Sequence, residues 1–247
     1  MSRVGVVTGC AGGVGAATVT LLRDLGWHVV GIDRRPADEG VECDERIVAD
    51  LGAADALESL ALGIGERYGE IAGLVNNGAE QDTRPIADLT TEHLVRIMAV
   101  NLGAAHVLTR ALAPALDRAG GAVVNVASVH AIASTPQMAA YASSKGAIVA
   151  YTRVSALELA PRVRVNAVLP GAVDTPMLRA GLSRRPEDGT PEQALAALSA
   201  RTPLGRVATA MEIAGVIEFL LDGTRSGFIT GQGLVADGGV TVRLPSE

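Results

Sequence analysis

The sequence predicts an α/β protein, a doubly wound parallel sheet with helices on both faces. Three observations carry this. Short runs rich in Val, Ile and Leu alternate with longer segments of helical periodicity, the pattern of right-handed βαβ crossovers. A glycine-dense turn separates the first apolar run from the first helical one. The apolar 48% is mostly Ala, Val and Leu, with only 2% aromatics, which suits helices packed closely on a parallel sheet. A chain of 247 residues is ample for one such domain and short for two, so one domain is expected over 1–247.

Residues 3–8 (RVGVVT) read as a buried strand, and GVGAATVTLLRDLG as a helix closed by Gly26. HVVGID (28–33) and RIVAD (46–50) are the second and third strands. Residues 53–68 have helical periodicity, AGLVNN (72–77) is a fourth strand, and 91–117 read as one or two helices. GAVVNVAS (121–128) is the fifth strand, 139–159 a long helix ending at Pro161, and RVRVNAVLP (162–170) the sixth strand. Residues 176–206 are poorly patterned. A long irregular segment in a compact domain is usually functional, and a lid over a substrate pocket is expected here.

Composition removes several classes of function. A net charge of −6 with no basic cluster argues against nucleic acid and anionic membranes as partners. So few aromatics leave no stacking platform for bases. Cys10 and Cys43 stand in no metal-ligand or CxxC spacing and read as reduced thiols of a cytoplasmic protein, with no metal expected. The chain enters an apolar strand within three residues, leaving no room for a signal peptide. The uncharged run 119–144 is broken by Asn125, Ser128, Pro136 and Gln137, so it is not a membrane span.

The chemistry concentrates in 128–145, SVHAIASTPQMAAYASSK. Tyr141 and Lys145 are four residues apart, so on a helix they rise from one face. Lys145 is the only lysine in the chain; every other basic side chain of this type is arginine. A phenol of pKa about 10 is a poor base at neutral pH, and a neighbouring ammonium is expected to lower that value by favouring the phenolate. A compact ammonium also holds ligand hydroxyls in a way a planar guanidinium does not. Tyr141 then acts as a tuned acid/base, with Ser128 donating to the oxygen whose proton Tyr141 moves.

Such a set needs an electron carrier. VVTGCAGGVG (6–15) places Thr8-Gly9 and then Gly13 and Gly15 between the first strand and the first helix. Glycines there let backbone N–H groups approach a pyrophosphate, which the positive helix terminus also attracts. Gly9, Gly12, Gly13, Val14 and Gly15 are the expected cradle. Asp33 ends the second strand, where a carboxylate accepts from the adenosine ribose and disfavours a 2′-phosphate, so NAD is favoured over NADP. Arg34 and Arg35 follow it and pull the other way, since a guanidinium clamps phosphate. Asp50, with Leu51, ends the third strand and is a candidate for the adenine amino group, or equally a turn or helix-capping Asp.

Taken together the motifs resemble the short-chain dehydrogenase/reductase family from Val4 to Gly239. They are TGCAGGVG (8–15), Asp50, NNGA (76–79), Asn101 in VNLGA, Ser128, YASSK (141–145), VRVNAVLPGAVDTPM (163–177) and GFITGQGLVADGG (227–239). The resemblance implies a Rossmann-like seven-stranded sheet, an NAD(P) coenzyme, and hydride transfer between it and a secondary alcohol or ketone. It implies a catalytic set of Asn101, Ser128, Tyr141 and Lys145, with Asn101 holding a water that relays protons from Lys145. Residue type alone makes Asn101 a packing amide inside a helix. The resemblance further implies that Asn77, Tyr141, Lys145, Pro170, Gly171, Val173 and Thr175 contact the coenzyme, and that the chain forms a homotetramer or homodimer. Two departures stand out: the family's usual NNAG is NNGA here, and Ala131 replaces a common glycine three residues after the serine.

Gln81, His130 and Gln137 are the expected substrate contacts, tilting the reading towards a polar or cyclic secondary alcohol. Arg84, Arg179 and Arg184 are the candidates to meet a substrate carboxylate. The alternative is an NADP-dependent reductase of ketones or 3-oxoacyl thioesters. A non-catalytic sensor of NADH needs the glycine cradle but has no use for the Ser/Tyr/Lys/Asn set. Trp27 reads as a packing residue.

Overall fold

The computed structural model describes residues 2–36, 41–183 and 190–242. Its sheet is built from β1 (Val4–Thr8), β2 (His28–Asp33), β3 (Glu45–Val48), β4 (Gly73–Asn76), β5 (Ala122–Val126), β6 (Arg164–Pro170) and β7 (Gly233–Ala236). All seven pair in parallel in the order β3-β2-β1-β4-β5-β6-β7. The order turns back between β1 and β4, which opens a crevice at the carboxyl ends of those strands, where open α/β sheets bind ligands.

Helices cover both faces because the central strands are apolar on both sides. On one face α2 (Ala54–Tyr68) and α4 (Ala104–Ala119) bury Leu57, Ile64, Leu108 and Leu112 against Val30, Leu74 and Val123. α5 (Ala139–Leu159) completes that layer through Ile148 and Ala156. On the other face α1 (Gly13–Asp24) and α8 (Ala210–Leu221) bury Val19, Leu22, Ile213 and Ile217 against Val7, Val29 and Val124. Each such side chain contributes about 1.5–3 kcal/mol of transfer free energy. Trp27 packs in the second layer, 5% exposed, and Gly5 and Gly73 make room for it: a Cβ on either would lie within 3.1 Å of its ring.

Three elements depart from the sequence reading. The 91–117 segment is α3 (Thr91–Met98) running into α4 through a π turn, Ala99–Gly103, that contains Asn101. Residues 176–206 hold two helices, α6 (Pro176–Leu182) and α7 (Pro191–Arg201), begun by the N-caps Thr175 and Thr190. Both are Thr-Pro starts, the pattern of a capped first turn, but their short apolar faces hid the periodicity. α8 went unread because MEIAGVIEFLL is apolar almost all round, which gives no stripe to detect. A short turn, α9 (Gly223–Ser226), leads into β7. No helix among the described residues is long and apolar enough to cross a membrane.

Candidate active site

The turn after β1 is held in place by glycines. Gly9 has φ +64° and Gly13 φ +56°, the left-handed region that L side chains rarely adopt. A Cβ on Gly15 would overlap the carbonyl oxygen of Gly9, and one on Gly12 would lie 2.9 Å from the Arg35 guanidinium. Gly12 is the N-cap of α1 and supplies no side-chain cap, so the first N–H groups of the helix are left to a ligand. Val14 turns inward to the second core layer. A dinucleotide phosphate fits this cradle on its shape and its donors.

Asn77 locks the turn from the side, donating through Nδ2 to Thr8 O at 3.0 Å and Gly9 O at 3.2 Å. Thr8 Oγ1 in return accepts from the N–H groups of Asn77 and Gly78 at 3.0 and 2.9 Å. The NNGA order has a cause here. A Cβ at Gly78 would overlap Leu51 Cδ1 and lie 3.2 Å from Gly9 N, so glycine is the residue that fits at 78. Residue 79 has no positive φ to require a glycine.

Asp33 is 7% exposed. Its carboxylate accepts from the N–H of Ala11 at 2.9 Å and from that of Arg35 at 3.0 Å. Burial alone would raise its pKa, but those two N–H bonds and the Arg35 guanidinium outweigh it and hold the group below its ordinary value. Arg34 reaches instead to Glu80, 3.0 Å away. Asp50 accepts from Gly52 N at 2.9 Å and is forked by Arg96 at 2.9 and 3.0 Å. Its turn-forming role is therefore met within the chain.

Tyr141 and Lys145 lie on α5, one turn apart, and Ser128 follows β5. Lys145 is 3% exposed. Its Nζ donates to Val126 O at 2.7 Å and sits 5.5 Å from the centroid of the Tyr141 ring. Burial pushes the lysine down to about 8 and the tyrosine up to about 12, the latter offset in part by a hydrogen bond with the Ser128 hydroxyl. The expected lowering of the phenol by Lys145 is thus reversed in this structure. Removal from water disfavours phenolate and ammonium alike.

Asn101, in the π turn and buried, donates to Glu80 O and to Ser144 Oγ at 2.9 Å each, and accepts from Glu80 N at 2.8 Å. Ser144 Oγ in turn donates to the backbone carbonyl of Tyr141 at 2.7 Å. A π turn frees backbone groups of the ordinary helical ladder, and such turns are frequent at functional sites. Glu80 and Ser144 were missed by the sequence reading. Ser144 lies inside the YASSK motif and was open to notice; Glu80 carried no local signal.

His130 stacks edge-on to Tyr141, centroids 5.8 Å apart at 80°. It also contacts Ser134 Oγ at 3.1 Å through Nδ1. Gln81 reaches Met138 Sδ at 3.7 Å, and Gln137, exposed, has φ +66°. Of these three, His130 is the one in contact with Tyr141. At the end of β6, Pro170 pairs with Ala236 of β7 and Gly171 N donates to Ala236 O at 3.0 Å. Val173 is 8% exposed, and Thr175 brings its methyl to the glycine turn, within 3.2 Å of a Cβ built on Gly13. Arg84 and Arg179 are engaged by Asp82 and Asp174, at 2.6 and 2.7 Å, leaving neither free for a substrate carboxylate. Arg184 lies outside the described residues.

A glycine cradle at the strand ends and a half-buried Tyr141 one turn from the buried Lys145 define an oxidoreductase of the NAD(P)-binding α/β class. A family model described as enoyl-(acyl carrier protein) reductase matches residues 9–241. L-xylulose reductase from Homo sapiens is 38% identical over 95% of this chain and 94% of its own. The 3-oxoacyl-(acyl-carrier-protein) reductase of Thermotoga maritima is 32% identical over 97% and 98%. The ligand-free structure of an aldohexose dehydrogenase from Thermoplasma acidophilum superposes with a TM-score of 0.93 at 30% identity, covering 99% of this chain and 96% of that one. The chain belongs to the short-chain dehydrogenase/reductase family, whose members use NAD(P).

Proposed function

We propose that this protein interconverts a secondary alcohol and a ketone with NAD(H), using Tyr141 as general acid/base. The observation that carries the reading is Lys145, buried one turn from Tyr141, with its Nζ 5.5 Å from the centroid of that ring. The dinucleotide, when bound, supplies or accepts the hydride. Gly9, Gly12, Gly13 and Gly15 hold its phosphates, Asp33 its adenosine ribose, and Pro170, Gly171, Val173 and Thr175 its carboxamide end.

In reduction, Tyr141 gives its phenolic proton to the substrate oxygen, which the Ser128 hydroxyl orients. In oxidation Tyr141 takes that proton back, and Lys145 in its charged form stabilises the phenolate. Asn101 positions the Glu80 turn and, through Ser144, the first turn of α5. Gln81, His130 and Gln137 contact the substrate. Of the expected lid over 176–206, residues 184–189 lie outside the described residues; α6 covers the pocket, and a Cβ built at Gly181 on it would lie 3.8 Å from Gln81 Oε1, which supports that reading. Exposed Val95 and Leu157, 59% and 80% open to solvent, support self-association through α3 and α5.

NAD is favoured over NADP because Asp33 keeps its negative charge at the end of β2. One observation favours the alternative, an NADP-dependent ketone or 3-oxoacyl-thioester reductase: the Arg35 guanidinium lies beside Gly12. An absorbance screen at the NADH band over secondary alcohols and ketones, run with both coenzymes, tests the reading. The expected result is kcat/KM for NAD about tenfold or more above that for NADP. A preference for NADP overturns the coenzyme assignment, and no turnover on any substrate favours the sensor.

A further inference from the structure

Gly31, in the middle of β2, is a glycine with two sulfurs where its side chain would be. Its Cβ position lies within 2.6 Å of both Cys43 Sγ and Cys10 Sγ, so the two sulfurs share the space over one backbone atom. Both cysteines are free. They are 33 residues apart in the chain and meet only because β2 lies between the turn after β1 and the start of β3. Cys10 is fully buried inside the glycine-rich turn; Cys43 is partly exposed.

We propose that Cys43 and Cys10 are a peroxide-responsive thiol pair whose disulfide withdraws the glycine-rich turn from dinucleotide binding. Cys43 is the sulfur that meets the peroxide. Its thiolate attacks one peroxide oxygen, the O–O bond breaks, and Cys43 sulfenic acid and hydroxide form. The Cys10 sulfur then attacks the Cys43 sulfur, the S–O bond breaks, and the departing oxygen leaves as water with the Cys10 proton. The two sulfurs together lose two electrons and hydrogen peroxide gains them. A dithiol reverses the change by exchange.

The division of labour follows from the surroundings. The neighbouring Cys10 thiol and then the Arg46 guanidinium draw the Cys43 thiol down to about 7, while the Cys43 sulfur beside it and burial push the Cys10 thiol up. Thiolate character and access select the attacked sulfur; once Cys43 is a sulfenic acid its charge no longer holds the Cys10 proton in place, and Cys10 attacks as its thiolate. Coupling to the cradle is direct. Cys10 sits between Gly9, whose N–H donates to Ile32 O at 2.8 Å, and Ala11, whose N–H donates to Asp33. A disulfide needs an S–S distance of about 2 Å, so closing the bond pulls on the turn between those two tethers.

The second half of the proposal, the loss of dinucleotide binding, rests on the coenzyme reading above, and the test separates the two. The reduced full chain is treated with one equivalent of hydrogen peroxide, quenched, unfolded and alkylated, then digested and mapped by mass. The expected result is a linked Cys10–Cys43 peptide pair that dithiothreitol releases. Cys43→Ser should give no product with peroxide, and Cys10→Ser a Cys43 sulfenic acid trapped by dimedone without a link. Two alkylated thiols in treated wild type, or links only between chains, overturn the pair. NADH fluorescence titration should show binding about tenfold or more weaker after oxidation than before. Equal affinity in the two forms overturns the coupling. No NADH binding by the reduced chain overturns the coenzyme reading and with it the coupling, while the linked peptide is judged on its own.

Discussion

Lys145 Nζ donates to the carbonyl of Val126 at 2.7 Å while standing 5.5 Å from the centroid of the Tyr141 ring. The amine is therefore fixed by the end of β5 rather than free to swing, and it lies where its charge acts on the phenol. Its burial makes that charge costly to hold, drawing the ammonium down to about 8. Function at this site is in tension with stability.

That tension sets a first prediction. In the unfolded chain Lys145 keeps its proton to 10.5, in the fold only to about 8. Between those values the unfolded state binds more protons, so the lysine's contribution to stability rises with pH across that window; below it the burial penalty is present in full. The shift corresponds to roughly 3 kcal/mol, less about 1 kcal/mol for the bond to Val126. Lys145→Met is expected to raise the melting temperature at pH 7, by an amount that shrinks towards pH 10, while turnover disappears. Calorimetry at both pH values checks it, and a lower melting temperature at pH 7 would refute it.

Tyr141 gives the second. Tyr141→Phe keeps the ring and its contact with His130 but removes the proton that moves. Turnover should fall by about 10² to 10⁴, with NADH affinity by fluorescence nearly unchanged. Wild-type turnover in this variant would end the role assigned to Tyr141.

Two glycines supply a matched pair of outcomes. Gly15→Ala forces a Cβ onto the Gly9 carbonyl oxygen, which is backbone and has nowhere to go, so NADH affinity should fall by about tenfold or more. Gly63→Ala, in the interior of α2, meets nothing within 4 Å and should stabilise the chain by up to about 1 kcal/mol through helix propensity. Titration with NADH and thermal melts of both variants decide the matter; equal effects from the two would show that the turn is more pliable than the contacts imply.

Asn101→Ala removes three hydrogen bonds at once and leaves Glu80 N without its acceptor. A loss of about 2–3 kcal/mol is expected by urea denaturation. A change below about 0.5 kcal/mol, the range of ordinary surface substitutions, would mean that the Glu80 turn is held by its ion pairs with Arg34 and Arg96 instead.

Much of this molecule was written in local pattern. Strand-helix alternation, the glycine turn and the shared face of Tyr141 and Lys145 all follow from spacings within a few residues, where periodicity and allowed backbone angles decide the outcome. The expected strands, 121–128 included, fall within a residue or two of those in the sheet. What only the folded chain decided involves partners far apart in sequence: Asn101 with Glu80 and Ser144, Asp50 with Arg96, Gly78 against Leu51, and Cys10 with Cys43. Those meetings depend on which strands become neighbours and what space lies between them. The sign of the Tyr141 shift belongs with them, because desolvation is set by everything packed around a group and no spacing along the chain records it.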